Sequence, residues 1–72
     1  MISINNVPFE WEKGMTLENA VRMALSCKQF AHLNEGQLIY MLNSRMIMLG
    51  RLDKTIVEDN DRIHVFPIAI GG

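Results

Sequence analysis

One cysteine, two prolines, one tryptophan and one tyrosine are all that 72 residues supply of those types. The lone Cys27 excludes an internal disulfide framework, and one thiolate cannot hold an iron–sulfur cluster. Cys27, His32 and His64 match no common metal-ligand spacing, so no metal centre is expected. No apolar run approaches the roughly 18 residues that a membrane span needs. The opening Met1-Ile2-Ser3-Ile4 has no basic stretch followed by an apolar one, so no secretory signal is read and a cytoplasmic protein is expected. Charge of one sign is missing too. Seven basic residues against eight acidic give a net charge of −1. The bases are scattered, so no groove for nucleic acid is expected.

What is present is apolar: 49% of the residues. A chain of this length forms one domain and buries only about 60% of its unfolded surface, so that content suffices for a small core. Ile2 and Ile4 alternate with polar neighbours, the period of a half-buried strand. Asn5-Asn6 suits a tight turn, since asparagine tolerates positive φ. Val7, Phe9 and Trp11 then alternate as a second strand. Pro8 lacks an N–H and places that strand at a sheet edge. Thr16 is a helix N-cap, with Glu18 in the first turn. Asn19 stands where a capping box has Glu or Gln, so the box reads as incomplete. Leu17, Ala20, Val21, Ala24 and Leu25 form one helical stripe, and the helix is expected to end near Cys27 or Lys28.

Residues 28–37 read as a connection anchored by Phe30 and Leu33. Leu38 to Leu42 is a strand, residues 43–45 a turn, and Met46 to Leu49 the next strand. Residues 52–57 read as irregular, with Ile56 and Val57 packing inward. A turn over Asp59-Asn60-Asp61 leads to the last strand, Arg62 to Phe66. Pro67 follows as a stiff exit, and the sequence closes on Ile68-Ala69-Ile70-Gly71-Gly72.

Chemistry-bearing side chains are few. Glu10 with Glu12 and Asp59 with Asp61 are carboxylate pairs, but so small a chain leaves little room for a substrate cleft, and both pairs read as solvated. Cys27 closes an apolar helix and reads as a buried thiol rather than a nucleophile. The chain is therefore not expected to be an enzyme. Met41, Met46 and Met48 read by default as core or flank packing. In the strand ending at Leu42, however, both faces are apolar, whereas a sheet covered on one side has a polar open face. With Ile63 and Val65 turned to the helix, Ile39, Met41, His64 and Phe66 form one exposed patch, a candidate partner surface.

The terminus is the other candidate. Gly71-Gly72 has no side chains, so an arm running from Pro67 can enter a narrow channel as extended backbone and approach a nucleotide phosphate closely. A carboxylate becomes an acyl donor once adenylated. The reactive group is then Gly72 itself, with all catalysis supplied by a partner.

The chain resembles the ubiquitin-like sulfur carriers, the family of the thiamine carrier ThiS and of MoaD, the small subunit of molybdopterin synthase. The likeness rests on the opening hairpin over Asn5-Asn6, Gly14-Met15-Thr16-Leu17 at the helix start, Met41-Leu42-Asn43 before a turn, Asp59 to Ile63 before the last strand, and Gly71-Gly72. Asn60 stands where the family's turn has glycine. Phe66-Pro67 is closer to molybdopterin synthase subunits and Ile68-Ala69 to the thiamine carrier, so both pathways stay open. Ile70 is bulkier than the small residue usual beside the glycines.

The resemblance implies an α+β fold of the ubiquitin-like β-grasp type. A mixed four- to five-stranded sheet packs on one main helix, its first and last strands parallel neighbours. Residues 1–66 form the domain and 67–72 a flexible arm. It further implies a carrier with no bound cofactor. An E1-like enzyme adenylates Gly72 using ATP, a desulfurase- or rhodanese-type donor supplies sulfur, and the thiocarboxylate passes it to a downstream synthase. Ile70 and Gly71 belong to the arm. Ile39, Met41, His64, Phe66 and Pro67 dock the partner, since in ubiquitin-like relatives the exposed face of the last strand contributes to docking. The alternative is a protein modifier joined through Gly72 to lysines.

Overall fold

Paired left-handed residues set the two hairpins. Asn5 and Asn6 adopt φ of 51° and 68°, and Asn43 and Ser44 adopt 49° and 74°. Two successive positive φ values are what a type I′ turn demands, and its twist matches that of the strands it joins. The first turn links β1 (Ile2–Ile4) to β2 (Val7–Phe9). The second links β3 (Leu38–Leu42) to β4 (Arg45–Ile47). The computed structural model describes residues 1–34 and 37–68.

Between the hairpins lies α1 (Leu17–Leu25). Thr16 caps it: its Oγ1 accepts from the Asn19 N–H, and the Asn19 Oδ1 accepts from the Thr16 N–H, both at 3.1 Å. The capping box is thus complete, contrary to the sequence reading, because the asparagine amide presents the same acceptor as glutamine on a shorter stem. Leu17, Ala20, Val21 and Ala24 are buried on one face. The helix stops at Leu25, earlier than the sequence suggests. Ser26 turns its hydroxyl back to the Met23 carbonyl at 2.7 Å, a local bond that competes with further helix.

The connection over 28–37 holds a 3₁₀ helix, Lys28–Asn34. A second, Leu49–Lys54, takes in Leu49, which the sequence reads as strand, and the first half of the 52–57 stretch, which it reads as irregular. Phe30 and Leu33 anchor the first and Leu52 the second, all buried. Val57 is fully buried as expected, but Ile56 is 51% exposed, because successive residues of an extended segment point to opposite sides. That segment is held by Leu17 N–H to Thr55 O at 2.8 Å and Val57 N–H to Met15 O at 2.9 Å. Trp11 lies beyond β2, and its indole N–H donates to the Val57 carbonyl at 2.8 Å.

The last strand, β5 (Arg62–Pro67), lies at the centre of a five-stranded sheet of order β2-β1-β5-β3-β4. β1 and β5 run parallel, with Ile4 beside Ile63; the other pairings are antiparallel. With α1 packed on one face, this is the ubiquitin-like β-grasp fold, and Pro8 sits on the edge strand as its missing N–H requires. Ile2, Ile4, Leu42, Ile63 and Val65 meet the α1 stripe in the core.

β1 ends opposite Ile63, four residues before the end of β5. Asn5 makes up the difference: its carboxamide donates to the Val65 carbonyl and accepts from the Val65 N–H, each at 2.8 Å. The next group facing that side belongs to Pro67, which has no N–H to leave unpaired.

Candidate functional site

β5 carries two sets of side chains at alternate positions. Ile63 and Val65 are buried against α1, while His64 is half-buried and Phe66 is 41% exposed on the far face. The β3–β5 register pairs Ile39 with Phe66 and Met41 with His64. Directly opposed residues have Cβ atoms about 4.5–5.5 Å apart, so these four form one continuous patch. Pro67 falls outside it. It pairs with Leu38, on the face of Tyr40 and Leu42, and it belongs to β5 rather than following the strand. The chain stays in register one step further, where the Ile68 N–H donates to the Gln37 carbonyl at 3.0 Å. The sheet bonding therefore reaches Ile68, past the boundary at residue 66 that the sequence suggests. Ile70, Gly71 and Gly72 lie outside the described residues.

The open face is wider than the four residues read from the sequence. Met46 pairs with Met41, which adds it to the row of Met41 and His64. Extending that register one position sets Met48 beside Ile39. Met46, Met48 and Leu49 are 60%, 67% and 72% exposed, so they are not core or flank packing. β4 ends at Ile47 because the chain turns into the second 3₁₀ helix, where Arg51 N–H bonds the Met48 carbonyl at 2.8 Å. A two-residue turn over Asn43-Ser44 fixes the Met41–Met46 pairing, so this enlargement was readable once that turn was assigned.

The remaining candidates are structural. Asp61 accepts from Asn43 Nδ2 and from the Glu58 N–H, both at 2.8 Å, and so shapes the turn before β5. Asp59 receives the amino group of Met1, and that bond holds its carboxyl below the usual carboxylate range. Glu10 and Glu12 are exposed. Cys27 is half-buried rather than buried, its thiol directed at the Met23 carbonyl at 3.6 Å. A hollow of about 400 Å³ between α1 and Leu52 is rimmed by the exposed Glu18–Arg22 pair and joins no nucleophile to a base. Among the described residues no group of three His, Cys, Asp or Glu is placed to hold a metal, and no helix is long and apolar enough to cross a membrane.

No family model and no curated protein matches this chain in sequence. Among solved structures, it is similar to a thiamine biosynthesis protein, ThiS, from Geobacter metallireducens, with a TM-score of 0.68 over 99% of this chain and 97% of that one. The two sequences are 19% identical, so the likeness is one of fold.

Proposed function

We propose that this chain is a sulfur carrier of the ThiS type: a protein substrate rather than an enzyme, whose reactive group is the carboxylate of Gly72. The observation that carries the reading is a β-grasp domain whose central strand leads, within five residues of its end at Pro67, to Gly71-Gly72. The fold likeness to a thiamine biosynthesis protein supports it. The carboxylate attacks the α-phosphorus of ATP and releases pyrophosphate, leaving an acyl adenylate. Hydrosulfide then displaces AMP and leaves a terminal thiocarboxylate. The adenylating enzyme, the sulfur donor and the accepting synthase are separate proteins. Thiamine synthesis is the favoured destination, since the fold likeness is to a protein of that pathway, with molybdopterin synthesis second.

The patch of half-buried Ile39, Met41 and His64 with exposed Phe66 docks the activating enzyme and leaves the arm free to reach its nucleotide. Phe66→Asp tests this: binding to the enzyme, measured by calorimetry, falls by about tenfold or more. Thermal stability changes little, because Phe66 is 41% exposed. A large stability loss would place Phe66 in the core.

Intact mass after incubation with ATP, an E1-like enzyme and a sulfur donor tests the chemistry. The expected product is heavier by the difference between one sulfur and one oxygen. Deleting Gly72 abolishes the gain and leaves the melting temperature unchanged. No gain with any such enzyme overturns the reading, and lysine-linked conjugates in its place identify a protein modifier.

A further inference from the structure

The two edges of the sheet differ. β2 is closed to further pairing by Pro8, while β4 has no such block. The Asn43 N–H donates to the Arg62 carbonyl, and the Gln37 carbonyl accepts from the Ile68 N–H, so odd-numbered positions of β3 direct their backbone groups to β5. Met41 is one of them. Its partner Met46 therefore turns its own N–H and C=O outward, to the free edge. Beside that edge lies a groove of about 530 Å³ whose lining includes Ile39, Tyr40, Met46, Met48 and Ile68.

We infer that the β4 edge takes an extended, acidic peptide segment of another protein, which adds as a short antiparallel strand at Met46 and lays alternate aliphatic side chains on Met48 and Leu49. Charge selects this occupant. The chain has eight acidic residues and a net charge of −1, yet residues 38 to 52 hold none of them and carry Arg45 and Arg51. Neither arginine has an ion-pair partner among the described residues, and both are exposed. A second copy of the chain brings the same positive charges to the same edge, which opposes self-pairing. The inference does not depend on the chemistry proposed for Gly72.

The test is a titration of the isotope-labelled full chain, followed by amide NMR, with three synthetic peptides. One alternates valine and threonine between glutamates, the second has lysines in place of the glutamates, and the third is the first with a central proline. The acidic peptide is expected to shift the amides of residues 45–49 and to slow hydrogen exchange at Met46. The lysine and proline peptides bind about tenfold more weakly, and the charge difference shrinks in high salt. Met48→Asp lowers affinity for the acidic peptide by about tenfold with the melting temperature unchanged. Equal shifts from all three peptides, shifts centred on α1 or β2, or no shift at millimolar peptide overturn the proposal. Broadening of residues 45–49 with protein concentration alone also overturns it and makes a second copy the occupant.

Discussion

The two hairpins share a design and differ in use. Each joins strands of no more than five residues through a two-residue left-handed turn, and each supplies one edge of the sheet. The first is tied down at every corner: Asn5 to Val65, Trp11 to Val57, and the Met1 amine and carbonyl to Asp59 and Asn60. Ile2 and Ile4 are buried in the core, and Val7, Phe9 and Trp11 pack against it. The second hairpin spends part of its apolar content on the open face, at Ile39, Met41, Met46 and Met48, near Arg45 and Arg51. Apolar surface left outside the core marks a candidate contact surface. The first hairpin serves stability, and on the reading proposed above the second serves recognition.

The sharpest break of that comparison is a pair of alanines. Ile4 is fully buried in the first hairpin and Met48 is 67% exposed beyond the second. Ile4→Ala is expected to cost about 2–5 kcal/mol, a transfer loss plus a cavity. Met48→Ala is expected to lie within about 0.5 kcal/mol of zero. Urea unfolding of both variants measures the difference. A domain of this size has total stability on the order of 4–10 kcal/mol, so the first change leaves it marginal. Equal losses would mean that Met48 supports the core and that the two hairpins are not divided as argued.

The asparagines that open the two turns give a finer contrast. Asn5 bonds both backbone groups of Val65, beside a side chain that is 2% exposed. Asn43 makes the same kind of bridge, accepting from the Arg62 N–H at 2.9 Å and donating to Asp61, but it is exposed to water. Glycine keeps positive φ available at either position, so replacing each with glycine removes the carboxamide without straining the turn. Asn5→Gly is expected to cost about 1–3 kcal/mol, since two part-buried groups lose their partners, and Asn43→Gly about 0.5–1.5 kcal/mol, since water replaces the lost bonds. The same unfolding curves decide it. A larger loss at Asn43 reverses the assignment.

Local chemistry made much of this fold legible in the sequence. Both asparagine turns, the Thr16 cap, the α1 stripe and the limits of β3 follow from φ preference and periodicity alone. So does the placing of Ile39, Met41, His64 and Phe66 on one face, once alternation is taken along β3 and β5; their pairing across the strands needed the register. The rest depended on tertiary context. Nothing local distinguishes Ile56 from Val57 as the one that points outward. The capping role of Asn19 depends on a side-chain rotamer, and the 3₁₀ helices depend on buried Phe30, Leu33 and Leu52 holding otherwise weak turns. Met46 and Met48 were misread because methionine suits a core as well as a contact surface. Register, not residue type, separates the two roles.

The smallest expected effect concerns the tie at the start of the first hairpin, which is the one set by pH. The Met1 amine bonds the Asp59 carboxylate, and that bond lowers the Asp59 pKa below its ordinary 3.8. A carboxyl whose folded pKa is depressed stabilises the fold fully above the unfolded value. That contribution is lost as pH falls below about 3.8 and through the lowered pKa. Asp59 is exposed, so solvent screens the interaction and the effect is small. Asp59→Asn is therefore expected to lower stability slightly at neutral pH and to converge with the parent chain in strong acid. The measurement is the difference between their melting temperatures as pH is lowered. A constant difference across that range would show that the amine clamps β1 without help from the carboxylate charge. The first hairpin would then be secured by its uncharged bonds alone: Asn5 to Val65, Trp11 to Val57, and the Met1 carbonyl to Asn60.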